Sequence, residues 1–266
     1  MRSFLLVFYG NTGSSWLIQM LGSPTTVFIP GFEPLERWSS VGERSSGWDV
    51  TDSERLGWMR TVFAPPEDRN GPAFGAWLEE AGRNPHFSAP ANPAYEVTGF
   101  KMNSHSVSDR PALFETLLEL GSQVIVLQRS NRIKHALSLY RYHEEQKSQF
   151  DKDGIRPPSE IDLKVFHGWL KESVALHRQS EVFWAQALAV LDRDAVTRVR
   201  YEEFVDDAGK AETAERLKEF LRIDGLSYDA PLFAKATPDS LESAVINYEE
   251  LAARYRDTEF QGFLTE

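Results

Sequence analysis

Phe4-Leu5-Leu6-Val7-Phe8-Tyr9 is apolar at every position, as expected of a parallel strand covered on both faces. The run breaks into Gly10-Asn11-Thr12-Gly13-Ser14-Ser15, and apolar residues return in Trp16-Leu17-Ile18-Gln19-Met20-Leu21, which predicts a short helix. Thr25 to Ile29 reads as a second strand. From about Pro30 to Pro93 the patterning weakens and prolines and glycines multiply, as in Pro65-Pro66, Gly71-Pro72 and Ala89-Pro90, with short helices expected near 52–63 and 72–82. An irregular stretch of this kind, about 30–93, is expected to shape an acceptor pocket.

Regularity returns with a strand over 96–101, a helix over 109–120, a strand over 123–128 and a helix over 131–148. Phe166, Trp169, Leu170, Val174 and His177 recur at helical spacing and predict a long amphipathic helix over 161–191. A strand near 196–200 and a helix over 209–222 complete the alternation. Strands alternating with helices imply an α/β fold, a three-layer parallel sheet with P-loop-like nucleotide-binding topology, and residues 1–266 read as one domain.

Composition narrows the chemistry. The chain has no cysteine, which excludes disulfides, thiolate metal sites and cysteine nucleophiles. Its 29 Lys+Arg against 40 Asp+Glu give a net charge of −11, a poor match to nucleic acid. Its 6 His show no metal-ligand spacing, so no metal is expected. The N-terminal apolar run is short, has a single Arg before it and no clean cleavage site after it, and no later segment is long enough to span a membrane. A cytoplasmic protein is the expectation.

Two segments carry anion-binding character. Gly10 to Ser15 joins a buried strand to a helix start, where glycines allow close approach and free N–H groups face an anion. It lacks the Gly-Lys-Ser/Thr ending of a Walker A loop. Taken alone it fits a phosphate cradle and an ordinary capped turn equally. Gln128-Arg129-Ser130-Asn131-Arg132 leads into a helix with Lys134, His135, Ser138 and Arg141, and no Asp or Glu occurs between Glu119 and Glu144. Arg offers phosphate a bidentate fork, and the end of a buried strand is where open α/β sheets place ligands. A solvated basic helix face is the plainer alternative.

Together the two segments resemble the sulfotransferases that use 3′-phosphoadenosine-5′-phosphosulfate. The Arg129 segment is especially similar to their bacterial carbohydrate-type branch, the trehalose and nodulation-factor sulfotransferases. Asn11-Thr12-Gly13-Ser14-Ser15-Trp16-Leu17 is similar to the family's 5′-phosphosulfate loop except at its first position, where the family's Lys or Arg is Asn11. No Lys or Arg occurs from Ser3 to Leu35. Arg129 and Ser138 fit the 3′-phosphate signature, Arg200-Tyr201-Glu202-Glu203-Phe204 resembles a later strand end, and the stretch from Lys235 to Tyr248 is similar to the closing segment.

The resemblance implies a donor held by Asn11, Thr12, Gly13, Ser14, Ser15, Trp16, Arg129, Ser138, Tyr201 and Lys235, with adenosine 3′,5′-bisphosphate as the product. It implies transfer to a hydroxyl of a carbohydrate, lipid-linked or other small acceptor. Lys101, after the strand at 96–100, would contact the sulfuryl group; Glu33, in Pro30-Gly31-Phe32-Glu33-Pro34, is the first candidate base and His105 the second. Because of Asn11, a catalytically degenerate nucleotide-binding relative is the alternative; a kinase-like phosphotransferase ranks below both for want of a Walker lysine and a magnesium-site signature.

Overall fold

The computed structural model describes residues 1–30, 33–35, 50–68, 70–81, 94–145, 157–205, 207–226 and 240–265. The first apolar run forms β1 (Arg2–Phe8), the middle strand of a five-stranded sheet. The others are β2 (Val27–Phe28), β3 (Val97–Asn103), β4 (Gln123–Gln128) and β5 (Val196–Arg200), in the order β2-β3-β1-β4-β5 with every pairing parallel. Phe4, Leu5, Leu6 and Val7 have no solvent exposure, which is why the run could dispense with polar alternation.

Helices cover both faces. On one lie α1 (Ser14–Leu21) and α7 (Asp207–Leu221), whose Leu17, Ile18, Leu217 and Leu221 pack with Phe4, Leu6 and Phe8. On the other, α2 (Asp52–Phe63), α3 (Pro72–Ala81), α4 (Arg110–Glu119) and the long α6 (Leu163–Val190) pack on Leu5, Val7, Phe100 and Val126. The expected three-layer parallel arrangement is the one observed. A satellite core joins α5 (Arg132–His143) and α6 to α8 (Leu241–Ala244) and α9 (Tyr248–Tyr255), elements that the apolar pattern past residue 222 did not reveal.

Boundaries moved where pairing or capping overrode pattern. β2 is shorter than the expected 25–29, because only Val27 and Phe28 pair with β3. β3 runs on to Asn103, held by its register with Phe8, so Lys101 lies within the strand rather than after it. The helix expected over 131–148 ends at His143, and residues 146–156 lie outside the described ones. Asp162 accepts from the N–H groups of Lys164 and Val165 and so starts α6.

Strand order fixes the place of the site. β1 has β3 on one side and β4 on the other, so the chain order reverses at β1, and the loops that follow β1 and β4 flank a crevice at their carboxyl ends.

Candidate functional site

The loop after β1 takes two left-handed residues, Asn11 at φ 50° and Gly13 at φ 82°. Asn tolerates this region better than most side chains, and Gly is free in it. Gly13 is also the N-cap of α1; the Trp16 amide donates back to its carbonyl at 3.1 Å, and among the described residues no side chain caps the amides of Ser14 and Ser15. A Cβ at Gly13 would stand 2.7 Å from Cδ2 of Tyr201, so the glycine admits that ring against the loop. Thr12 is 2% exposed, and its Oγ1 has no hydrogen-bond partner among the described residues. A buried hydroxyl left so costs about 1–3 kcal/mol, which an anionic oxygen would recover.

β3 delivers a cation to this loop from the neighbouring strand. Lys101 pairs in register with Leu6, and its Nζ lies 2.8 Å from Ser15 Oγ and 3.4 Å from Ser14 Oγ. Nζ also stands 2.8 Å from Glu33 Oε1 and 4.9 Å from the centre of the Phe8 ring. Lys101 is buried and the Glu33 side chain is 16% exposed. A charge this far from water is tolerable only when paired.

β4 delivers a second cation. Arg129 is buried; its Nη1 donates to the carbonyl of Asn11 at 3.4 Å, and its guanidinium lies 4.4 Å from the centre of the Tyr201 ring. Its Nε has no partner among the described residues. Behind it, Glu202 accepts from the N–H groups of Ser130 (3.0 Å) and Asn131 (2.9 Å), while the Asn131 side chain caps α5 at Lys134. Gln128 donates to Ser180 Oγ at 2.6 Å and ties the strand end to α6. Tyr201 and Glu202, just beyond β5, thus brace both loops.

His135 ties the loops from below. Its Nε2–H donates to the carbonyl of Gly10 at 2.8 Å, which leaves Nδ1 to accept from Ser173 Oγ at 3.0 Å. Burial, and next the Arg129 charge, push its pKa down to about 3, so the imidazole is neutral. Ser138, three residues further along α5, is half-buried on the adjoining helix face. Trp16 stacks on Phe204, ring centres 5.2 Å apart at 8°, and Tyr201 meets Phe204 edge-on. Burial pushes the Tyr9 phenol up to about 12, so this residue, which leads into the loop, stays neutral.

The structure therefore gathers Asn11, Thr12, Gly13, Ser14, Ser15, Lys101, Glu33, Arg129 and Tyr201 around one loop. His105 is exposed. It lines a cavity of about 600 Å³ together with Gly10, Asn103, Leu139 and Trp169. Lys235 lies outside the described residues, as do residues 31–32, 36–49 and 82–93 of the segment expected to shape the acceptor pocket. Sequence reasoning passed over the roles of His135 and Glu202. His135 was visible as part of the basic helix and Glu202 as part of the Tyr-Glu-Glu-Phe run, but only the folded sheet brings them to the loops.

No family model matches the sequence, and no curated protein does either. Solved structures do. A sulfotransferase domain from the curacin biosynthetic pathway is 14% identical, with TM-score 0.50 over 97% of this chain and 92% of its own. A sulfotransferase from Alicyclobacillus acidocaldarius is 15% identical, with TM-score 0.45 over 99% of this chain and 94% of its own. A mouse sulfotransferase complexed with PAP is 16% identical, with TM-score 0.46 over 84% of this chain and 59% of its own. With β1 central in a parallel sheet and a Gly/Ser/Thr loop at its carboxyl end, the chain has the fold of the curacin-pathway sulfotransferase domain.

Proposed function

We propose that this protein transfers a sulfuryl group from 3′-phosphoadenosine-5′-phosphosulfate to a hydroxyl of a small acceptor, carbohydrates and lipid-linked compounds included. One observation carries the reading: two buried cations from separate strands, Lys101 and Arg129, converge on one uncapped helix start whose Thr12 hydroxyl lacks a partner among the described residues. The donor supplies the sulfuryl group. The amides at Gly13, Ser14 and Ser15 and the Thr12 hydroxyl suit its 5′ end, Arg129 with Ser138 its 3′-phosphate, and the edge formed by Trp16, Phe204 and Tyr201 its base.

Sulfuryl transfer requires little of a protein beyond positioning, charge stabilisation and a base. A helix end supplies only about half a charge. Lys101 makes up the difference that Asn11 leaves, because its ammonium already bonds to Ser15. Glu33 is the first base, since it adjoins Lys101 at the sulfuryl end; His105, on the cavity wall, is the second.

The reading is tested by incubating the protein with labelled donor and a panel of hydroxyl compounds. Lys101→Ala lowers transfer by roughly 10²–10³-fold while adenosine 3′,5′-bisphosphate still binds, and Asn11→Lys is tolerated. Glu33→Gln lowers transfer by on the order of 10²–10⁴-fold, and His105→Ala does not. The reverse pattern exchanges the two roles. Binding without transfer to any compound, with Asn11→Lys switching transfer on, establishes the degenerate alternative instead.

A further inference from the structure

We infer that the cavity between α5 and α6 takes an acceptor with a flat ring and a protonated amine, an assignment that rests on the proposed transfer to a hydroxyl. At about 600 Å³ the cavity is of the size that encloses a small organic molecule. One end is walled by Gly10, Asn103 and His105, where β1 and β3 finish beside the anion loop. Its wall also carries His143, Glu144, Trp169 and Glu172.

Two properties of the wall select a ligand. The first is flat and apolar character. The Trp169 indole lies on the His143 ring, centres 4.4 Å apart at 7°, and Leu139, Val165 and Leu176 complete the surface. Trp169 Nε1 donates to Glu144 Oε1 at 2.9 Å, which fixes the ring and that carboxylate together. The other property is charge. Glu144 and Glu172 are carboxylates, and no Lys or Arg lines the cavity among the described residues. A cleft walled by one sign of charge concentrates ligands of the opposite sign, and aromatic faces add to the attraction for cations. The anion loop next door is cationic through Lys101 and Arg129. An acceptor spanning the cavity therefore sets its amine toward Glu144 and Glu172 and its hydroxyl toward Gly10 and Asn103.

Three phenols of nearly one shape test this: tyramine, 4-ethylphenol and 4-hydroxyphenylacetate, carrying positive, no and negative charge. Their binding is measured by calorimetry with the full chain saturated in adenosine 3′,5′-bisphosphate, and again without the nucleotide. Tyramine is expected to bind about tenfold more tightly than 4-ethylphenol, as a carboxylate pair at a partly shielded distance provides, with the anion weakest. The preference shrinks at high salt. Glu172→Gln reduces it, and Glu144→Gln combined with Glu172→Gln removes it; both residues are exposed, so the variants fold. Equal binding of the three, a preference for the anion, no binding by any of them, or a preference that survives the double variant overturns the assignment. The bisphosphate titration stands apart. A protein that ranks the phenols as expected yet ignores the bisphosphate keeps this cavity and loses the sulfotransferase reading. One that binds the bisphosphate without ranking the phenols loses only the cavity assignment.

Discussion

Asn11 has a backbone role beside the side-chain role that the motif asks of its position. Measured against the sulfotransferase loop it is a missing cation, yet its backbone stands at φ 50° and its carbonyl faces Arg129. The position requires a left-handed conformation, which Asn adopts at lower cost than a long side chain does. His135 shows the complementary case of a titratable group that burial holds neutral. Its folded pKa of about 3 lies below the unfolded value of 6.5, so the unfolded chain binds more protons between these limits. Its contribution to stability is therefore fully present above pH 6.5 and is lost as the pH falls toward 3. Urea unfolding at a series of pH values measures this: His135→Gln lessens the fall in stability across that window, and a slope equal to the wild type's refutes the neutral, buried assignment.

At the scale of elements, the loops after β1 and β4 are tied together because the turn after β5 presses on both. Gly13 has room for no side chain, with Tyr201 2.7 Å from a Cβ built there. Gly13→Ala also meets the left-handed penalty of roughly 1–2 kcal/mol, so it is expected to lower the melting temperature and abolish nucleotide binding together. A loss of binding with the melting temperature unchanged would mean that the ring does not pack there. Glu202 makes the matching contact on the other loop. Glu202→Ala leaves the Ser130 and Asn131 amides unpaired, at a cost of about 1–3 kcal/mol. Denaturant unfolding checks that figure, and Glu202→Gln, which keeps one acceptor oxygen, is expected to recover part of it. Much of this level was legible in the chain. The helix expected near 52–63 and the strand over 123–128 match the observed bounds; in the fold a Thr51–Glu54 capping box starts the helix. The short β2 and the extended β3 were not legible, since pairing partners rather than local pattern decide where such strands stop. The closing helices α8 and α9 were not either, for they owe their place to the satellite core.

For the whole molecule, the parallel sheet followed from composition and order alone, because strands buried on both faces leave no other economical arrangement. The site was legible only in part. The loop after β1 and Arg129 could be read from Gly, Ser and Thr beside apolar runs, whereas the ion pair of Lys101 with Glu33 joins residues that only the β2-β3-β1 order brings together. The cavity beside His105 was hidden for the same reason: its walls come from β1, β3, α5 and α6. What unites the account is the proposal of two anion sites on one crevice, one for each end of a bisphosphate nucleotide. Calorimetric titration of adenosine 3′,5′-bisphosphate and adenosine 5′-phosphate into the wild-type and Arg129→Ala proteins tests it most directly. The account predicts that the wild type prefers the bisphosphate, and that Arg129→Ala weakens it by about 1.5–3 kcal/mol, the worth of a charge-assisted hydrogen bond, with the 5′-phosphate hardly affected. Equal losses for both nucleotides, or no binding of the bisphosphate by the wild type, would contradict it.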